Sequence, residues 1–429
     1  MTTKTFVAAI GAALFFTLPL SAQVTVGKIA EDKSRAAGIH KPYDYQPSEA
    51  TPAPDGYAPF YISHLGRHGS RYNTNSRELA GIVTALHKCD SAGILTPIGK
   101  ELKRRVDLLN SESQDRFGAL SARGAREHRQ IADRMYLRCP EVFTNPDRRE
   151  VSAVSSTSIR CILSMTNFAS SLISRNPELD VTYASNDRTK RYLMKNTGIG
   201  DIEKARREMV APVRKEMFSP DRFFEAIVKD QKALREFVKD RHHFCKDLYV
   251  AGGIVYCVDL EQRANLYDFF TVDELCTLAR LDCFDFYGDH ANSKEFGKRR
   301  VAMADELVED IIAKADEAIQ ASSHKAADIR FSHDWVISPL LAMIGVEGME
   351  KSRPLLRVDK YWMTSDYIPM AANLQMVFYR AAGSDRVLVK LLHDEKEIRI
   401  PELGKDEGPY YDWAVLKPYL EGRIARFTH

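Results

Sequence analysis

One segment of the chain reads Phe60-Tyr61-Ile62-Ser63-His64-Leu65-Gly66-Arg67-His68-Gly69-Ser70-Arg71-Tyr72. It begins as a short apolar run of strand-forming residues and ends in a glycine-flanked turn that holds two arginines and a histidine. Arginine forks are the side chains best matched to phosphate oxygens. A histidine held between two of them is either an oriented donor or a nucleophile aimed at phosphorus. The segment therefore predicts a strand that leads into a phosphate site.

The chain has 429 residues, of which 44% are hydrophobic and 28% are charged, as in an ordinary globular protein. This length predicts two domains, or one domain with a large insertion. The formal net charge is +2, whereas nucleic-acid-binding domains are typically strongly basic. We therefore expect no nucleic-acid partner.

Residues 1–22 have the pattern of a secretory signal peptide. Lys4 supplies the positive charge, residues 6–18 form the apolar run, and Ser21-Ala22 is a small-residue cleavage site before Gln23. The alternative is a membrane anchor, but the run is shorter than the ~20 residues that a spanning helix needs. The sequence thus predicts export, to the periplasm or outside the cell, with no membrane anchor after signal removal.

Seven cysteines follow the signal-like segment. Export permits disulfides, and the odd number leaves at least one thiol unpaired. Cys245 with Cys257, or Cys276 with Cys283, are close enough in sequence to be candidate pairs, and the connectivity stays open. The spacings match no zinc-binding pattern, so no metal site is predicted.

Strand and helix patterns alternate at both ends of the chain, whereas helical patterns dominate its middle. The predicted strands cover residues 60–65, 150–154, 180–184 and 328–331, and a hairpin covers 374–380 and 386–392. The predicted helices of the middle part cover residues 202–218, 221–239, 258–281 and 292–319, and a terminal helix covers 410–420. The predicted fold class is α/β, with a sheet domain flanked by helices (residues 23–190 and 325–429) and a mostly helical inserted domain (191–324). Residues 23–59 are expected to be a leader on the surface.

Three polar motifs follow predicted strands, at the ends where open α/β sheets bind ligands. They are the turn after Gly66, the hydroxyl-rich turn Ser155–Arg160, and His333-Asp334. Together they offer three arginines, two histidines and one carboxylic acid, which suits phosphoryl transfer. In that chemistry, arginines hold the non-bridging oxygens, His68 attacks phosphorus, and Asp334 protonates the leaving oxygen.

Each of these residues also has a structural interpretation. Arg160 could be a surface arginine or an ion-pair partner, and Asp334 could cap the helix that follows it. The remaining histidines are interpreted as structural: His64 as packed in its strand, and His242, His243 and His393 as solvated.

Arg67-His68-Gly69-Ser70-Arg71 resembles the R-H-G-x-R signature of the histidine phosphatase superfamily, in its acid phosphatase and phytase branch. Ser332-His333-Asp334 resembles the late H-D motif of that branch, and Pro369–Leu374 resembles another of its late segments. The matches run in the right order across the chain, and the context looks similar to the multiple inositol polyphosphate phosphatase group. The chain departs from the signature at Tyr72-Asn73, where the family often has proline.

The resemblance implies a fold, a mechanism and a set of site residues. His68 matches the nucleophile that forms a phosphohistidine, and Asp334 matches the proton donor. The residues that match its phosphate-binding groups are Arg67, Arg71, Arg160 and His333. The resemblance also implies a phosphatase sheet domain with an α domain inserted, no cofactor and an acidic pH optimum.

A cationic run precedes the predicted insertion, and it contains Arg188, Lys190, Arg191 and Lys195. These residues either form a solvated face or bind further phosphates of the substrate. The function predicted from all these features is a phosphomonoester hydrolase for small phosphorylated molecules, with inositol polyphosphates such as phytate as the leading substrates. The alternatives are a broad-specificity acid phosphatase and a non-catalytic protein that binds a phosphorylated ligand.

Overall fold

The computed structural model describes residues 20–196, 198–404 and 408–428, with side chains from Val26 onward. The predicted signal peptide lies outside the described residues except for positions 20–22, which begin the first helix. Signal cleavage and export therefore stay predictions. No helix in the described part of the chain is long and apolar enough to cross a membrane.

The strands of the described chain form one mixed sheet in the order β3-β2-β4-β1-β5-β6-β7, and β8 pairs with β6. Strands β1 to β4 run parallel, whereas β5 is antiparallel to β1, and β6 is antiparallel to β5. The strands are β1 (Tyr57–Arg67), β2 (Glu150–Ser155), β3 (Asp180–Ala184), β4 (Lys325–Ser332), β5 (Asn373–Ala381), β6 (Val387–His393), β7 (Lys396–Glu397) and β8 (Tyr410–Asp412).

Strand β1 lies in the middle of the sheet because both of its faces are apolar. Tyr61, Ile62 and Leu65 are all at most 2% exposed although they do not all point to the same face. Its last residues pair with the end of β4, with Arg67 opposite Ser332. The parallel strands thus end at one edge, and the predicted α/β class is confirmed.

Helices cover both faces of the sheet. They are α1 (Leu20–Glu31), α2 (Arg77–Ser91), α3 (Pro97–Ser113), α4 (Ala122–Arg138), α5 (Pro140–Thr144), α6 (Ile159–Arg175), α7 (Asp187–Leu193), α8 (Gly200–Met217), α9 (Asp221–Ile227), α10 (Gln231–Phe237), α11 (Arg241–Cys257), α12 (Glu261–Ala264), α13 (Val272–His290), α14 (Gly297–Val301), α15 (Asp305–Ile319), α16 (Asp334–Ile344), α17 (Thr364–Tyr367) and α18 (Trp413–Thr428). Short 3₁₀ turns cover Lys33–His40, Leu266–Phe269, Ala302–Ala304, Leu355–Lys360 and Pro401–Leu403.

The helical middle of the chain is more broken than the sequence predicts. The predicted helix 221–239 is two helices, because Asp230 caps α10 through the amides of Lys232 and Ala233. The predicted terminal helix also begins later, because residues 410–412 pair with β6 as strand β8. These differences lie at helix ends, where local capping competes with apolar periodicity.

The N-terminal leader is not the surface wrapping that the sequence suggests. Ala36 and Ala37 are at most 2% exposed, and the Tyr249 hydroxyl of α11 donates a hydrogen bond to the Ala36 carbonyl. The Cys257 thiol, at the end of α11, donates to the His40 carbonyl at 3.1 Å. The leader prediction is therefore wrong for residues 33–41, which lie between the helical middle part and the sheet.

Neither candidate disulfide forms. All seven cysteines are buried and free. Cys245 and Cys257 lie twelve residues apart on α11, about 18 Å along the helix at 1.5 Å per residue. Cys276 and Cys283 lie seven residues apart on α13, about 10 Å. Both separations exceed the roughly 7 Å between Cα atoms that a disulfide spans, so the suspected pairs are wrong.

The larger hydrophobic core joins one face of the sheet to the central helices, since Leu65 and Leu374 belong to the same buried cluster as residues of α11 and α13. The smaller core packs the opposite face against α4 and α6. The assignment of residues 191–324 to a separate inserted domain remains a prediction.

Two glycines provide a matched test of how closely α4 packs on the turn after β1. A Cβ at Gly124 would lie 2.2 Å from the Ser70 carbonyl oxygen, whereas a Cβ at Gly81 of α2 would meet nothing within 4 Å. Gly124→Ala should lower the free energy of unfolding by about 1–3 kcal/mol because of overpacking. Gly81→Ala should raise it by about 0.5–1 kcal/mol. Urea unfolding measures both, and equal effects of the two substitutions would contradict the close packing.

Candidate active site

The turn after β1 is fixed by backbone hydrogen bonds to two distant segments. The Arg67 amide donates to the Ala372 carbonyl at 2.8 Å, and the His68 amide donates to the Ser332 carbonyl at 2.8 Å. The Ala371 amide in turn donates to the His68 carbonyl at 3.0 Å. These bonds bring the turn, the end of β4 and the segment before β5 to one place, as the order of their motifs predicts.

Arg67 is fully buried, and its guanidinium is bound on several sides. It donates to the carbonyls of Ile39 at 2.7 Å and Ile368 at 3.0 Å, and to the Asp334 carboxylate at 2.9 Å. A buried charge is tolerated only with such partners. The guanidinium is consequently held in one position beside His68.

His68 carries the proton of its neutral ring on Nδ1. Its Nδ1 lies 2.9 Å from the Gly69 carbonyl oxygen, which can only accept a hydrogen bond, so Nδ1 is the donor and Nε2 keeps a free lone pair. Burial lowers the pKa of His68 well below its usual range, and neighbouring cationic groups lower it further. Those groups are Arg67, Arg160, His333 and Arg71. The ring is thus neutral, and positive charge surrounds it.

His333 and Arg160 complete the side of the site formed by the second turn. The ring centroids of His68 and His333 are 5.6 Å apart, and Arg160 Nη2 lies 3.4 Å from His333 Nδ1. Because Arg160 can only donate, Nδ1 accepts, and Nε2 donates to the Ser156 hydroxyl at 3.1 Å. The His333 ring also stacks on Trp335, with centroids 4.0 Å apart.

Asp334 is the buried acid of the site, and it is also the first residue of α16. One carboxylate oxygen accepts from the Trp335 amide and the other from Arg67. The N-cap of α16 is His333, so the interpretation of Asp334 as the cap is wrong. Burial raises the pKa of the carboxyl, but Arg67, His290 and other nearby groups outweigh burial and lower it to about 2. In the free protein Asp334 is ionised.

Arg71 is held by the leader. Its guanidinium donates to the Tyr72 carbonyl at 2.9 Å and lies 3.4 Å from Nε2 of His40. Burial lowers the pKa of His40 well below its usual range, and Arg71 lowers it further, so this ring is a neutral acceptor. Sequence reasoning missed His40, because nothing in its local pattern indicates that residues 33–41 return to this site.

Two more residues that the sequence analysis missed support the turn. The Gly69 amide donates to the Ser164 hydroxyl at 3.1 Å, and the Ser70 amide donates to the Glu127 carboxylate at 2.8 Å. Glu127 is 5% exposed although it is charged. The sequence did contain a signal for Glu127. This residue lies one turn after Gly124 and next to the buried face of α4, where a carboxylate is rarely found without hydrogen-bond partners.

The cationic run lies beside the second turn on helix α7. The Thr189 hydroxyl donates to the Ser155 carbonyl at 2.8 Å, which holds α7 against the end of β2. Arg191 pairs with Glu306 at 2.6 Å, and Lys195 pairs with Asp305 at 2.6 Å. Arg188 and Lys190 are exposed, and no ion pair within the described residues involves either side chain.

The structural interpretation of the remaining histidines is mostly correct. His64 packs on Phe168 with ring centroids 4.8 Å apart, inside the core. His243 is exposed and His242 is half-buried. His393 is 8% exposed, so its solvation was predicted wrongly; strand β6 places it beneath the turn before β7, beside Asp394.

Within the described residues, no group of three or more histidine, cysteine or acidic side chains could hold a metal ion. The site consists of arginines, histidines and one carboxylate around a buried turn. Such a set binds and transfers phosphoryl groups by positioning and electrostatics.

Residues 254–394 match the model of the histidine phosphatase superfamily (branch 2). This match covers part of the chain, including His333-Asp334, and agrees with the resemblance that the motifs predict. No curated protein sequence matches the chain significantly.

Solved structures with the same fold include a multiple inositol polyphosphate phosphatase from Bifidobacterium longum, in complex with inositol hexasulfate. It is 19% identical with a TM-score of 0.74, over 90% of this chain and 97% of that one. The phytase from D. castellii is 15% identical with a TM-score of 0.67, over 91% and 85%. The phytase from Hafnia alvei is 12% identical with a TM-score of 0.54, over 87% and 98%.

Proposed function

We propose that the protein is an exported phosphomonoester hydrolase that works through a phosphohistidine intermediate, with inositol polyphosphates as its substrates. One observation carries the mechanism: a neutral His68 with a free Nε2 lone pair lies near Arg67, Arg71 and Arg160, and Arg67 also binds the Asp334 carboxylate. A protein that only binds phosphate needs neither a nucleophile nor an acid. Export rests on the signal-like residues 1–22.

In the first step, His68 Nε2 attacks phosphorus while the bond to the leaving oxygen breaks. Arg67, Arg71 and Arg160 hold the non-bridging oxygens, because each guanidinium is positively charged and presents parallel N–H donors to them. Asp334 gives its proton to the leaving alkoxide. In the second step, the Asp334 carboxylate takes a proton from water, whose oxygen displaces His68 from phosphorus and releases inorganic phosphate.

The proton for the leaving group has to enter with the substrate. Asp334 is ionised in the free protein because Arg67 stabilises its negative charge. A phosphate that binds to Arg67 competes for this positive charge and brings negative charge close to the carboxylate, which raises the pKa of Asp334. The substrate monoanion can then pass its proton to Asp334 before the bond to the leaving oxygen breaks.

The preference for inositol polyphosphates is supported by the rim of the site. Arg188 and Lys190 are exposed on α7, whose Thr189 contacts the second turn. Two cations without ion pairs at this position suit the other phosphates of a polyphosphorylated ring. A similar fold from Bifidobacterium longum binds inositol hexasulfate. Arg191 and Lys195 already have carboxylate partners, so we assign them a smaller role.

His68→Ala tests the mechanism directly. Wild-type protein mixed with ³²P-labelled substrate and quenched within milliseconds should yield an acid-labile, base-stable phosphoprotein. The variant should yield none, and its turnover should fall by at least roughly 10⁴-fold, because the nucleophile is lost. His64→Ala removes a histidine of the same strand from the core and controls for damage to the fold. Labelling of the His68 variant at the wild-type level would exclude His68 as the nucleophile.

The proton requirement predicts an acidic optimum. Because the substrate monoanion carries the proton, kcat/KM should fall about tenfold per pH unit once the pH exceeds about 6, the second pKa of a phosphate ester. Because burial and the nearby cations hold the pKa of His68 well below its usual range, protonation of the nucleophile should not be what changes the rate near about pH 6. Steady-state kinetics from below to above about pH 6 measure the predicted fall.

Asp334→Asn separates proton donation from the other effects of pH. The amide cannot give up a proton, so alkyl phosphates should react about 10²–10⁴-fold more slowly. 4-Nitrophenyl phosphate has a good leaving group and should lose much less. Equal losses on both substrates would show that Asp334 is not the acid.

The double variant Arg188→Ala/Lys190→Ala tests the substrate. Its KM for inositol hexakisphosphate should rise by roughly tenfold or more because two charge-assisted contacts are lost, whereas its KM for 4-nitrophenyl phosphate should stay constant. Arg191→Ala, on the same helix but paired with Glu306, is the matched control. If the wild type had the same kcat/KM for inositol hexakisphosphate as for simple sugar phosphates, the result would instead favour a broad-specificity acid phosphatase.

A further inference from the structure

A buried carboxylate outside the proposed phosphate-binding and proton-transfer residues binds the catalytic turn. Glu127 of α4 accepts hydrogen bonds from the Ser70 amide at 2.8 Å, the Ser70 hydroxyl at 2.7 Å and the Tyr43 amide at 3.1 Å. The two amides can only donate, and they bind different carboxylate oxygens. Burial raises the pKa of Glu127, whereas the hydrogen bonds from Ser70 and from the Tyr43 amide lower it, and three accepted bonds stabilise the ionised carboxylate. Such charge-assisted bonds are about twice as strong as neutral ones.

The peptide unit between Gly69 and Ser70 connects this carboxylate to the nucleophile. Its N–H donates to Glu127, and its carbonyl oxygen accepts from His68 Nδ1 at 2.9 Å. A trans peptide is planar, and its N–H and C=O point in opposite directions. A negative charge that binds the N–H therefore increases the negative partial charge on the carbonyl oxygen of the same peptide. Hydrogen bonds in such a chain strengthen one another in a low-dielectric interior.

The packing around this peptide leaves it little freedom to rotate. A Cβ at Gly69 would lie 2.5 Å from the Gly124 carbonyl oxygen, so the turn and α4 are in direct backbone contact. The Ser121 amide, just before α4, donates to the Ser70 carbonyl of the following peptide unit at 2.9 Å. The backbone on one side of the Gly69–Ser70 peptide is therefore held by the start of α4, and the N–H of this peptide is held by Glu127.

We propose that Glu127 is a positioning residue whose negative charge acts on His68 through the Gly69–Ser70 peptide. The charge polarises the Gly69 carbonyl, holds the proton of the His68 ring on Nδ1, and so keeps the Nε2 lone pair free. It also favours the positive charge that the ring acquires when Nε2 bonds to phosphorus. The kinetic part of this proposal rests on the proposed phosphohistidine mechanism.

Glu127→Gln keeps the shape of the side chain and removes its charge. With the amide oxygen towards Ser70 N–H, the chain of hydrogen bonds survives with a neutral acceptor. The rate of phosphoenzyme formation in rapid-quench experiments should fall by roughly tenfold, the difference between charged and neutral hydrogen bonds, while KM stays within about twofold. Glu397→Gln is the control for loss of a carboxylate charge: Glu397 accepts the amide and hydroxyl of Thr51, at 2.8 Å and 2.7 Å, and it also pairs with Lys390 at 2.8 Å. It should leave the rate unchanged.

The tautomer of His68 gives a readout that does not depend on catalysis. In ¹⁵N-histidine-labelled wild-type protein at neutral pH, the ring shifts should report a proton on Nδ1. In the Glu127 variant the population with the proton on Nε2 should increase. Ser70→Ala removes the hydroxyl but keeps the amide, and it should change the tautomer less than Glu127→Gln does.

Two outcomes would overturn the proposal: ring shifts of His68 that are the same in the wild type and in Glu127→Gln, or a proton on Nε2 in the wild type. A proton on Nε2 in the wild type would overturn the proposal even if Glu127→Gln does not fold. Failure of the proposed function would give a different result. The wild type would then form no phosphoenzyme in the rapid-quench experiment, whatever the ring shifts of His68 are.

Discussion

The site depends on one buried charge, the guanidinium of Arg67. Its side chain is inaccessible to water, so the protein has to replace the hydration that it loses. The replacements come from three distant parts of the chain: the carbonyl of Ile39 in the leader, the carbonyl of Ile368 before β5, and the carboxylate of Asp334 at the start of α16. Removing any one would leave part of a buried charge without a partner, which is costly. The arginine thus holds these three segments together.

The same ion pair determines the charge state of the empty site. The arginines lower the pKa of His68 and keep its ring neutral, and they also keep Asp334 ionised. Under the proposed mechanism a nucleophile has to be unprotonated and a general acid has to be protonated, so these charge states suit His68 for its task but not Asp334. A phosphate that competes with Asp334 for Arg67 would change the charge state of the carboxyl, and the proposal therefore couples substrate charge to acid protonation through a single guanidinium.

The leader and the helical middle of the chain contribute to the site through the same kind of contact. Residues 39 and 40 contact Arg67 and Arg71, and the leader is itself held by Tyr249 and Cys257 of α11. On the opposite side, α7 rests on the second turn. Arg67 and Arg71 are therefore supported by packing well outside the sheet.

The α/β class and the central strand β1 were readable from the sequence, because they depend on local patterns: apolar periodicity and turn residues at strand ends. The polar motifs after the strands also predicted which turns lie together, because parallel strands end at one edge of a sheet. Only the tertiary structure decided which other groups reach the site. His40, Glu127 and Ser164 are distant in sequence from the residues that they contact, and no local pattern encodes a contact between distant segments. The charge states of His68 and Asp334 were likewise decided by the tertiary structure, because burial and nearby charges set a pKa and both arise only when the chain is folded.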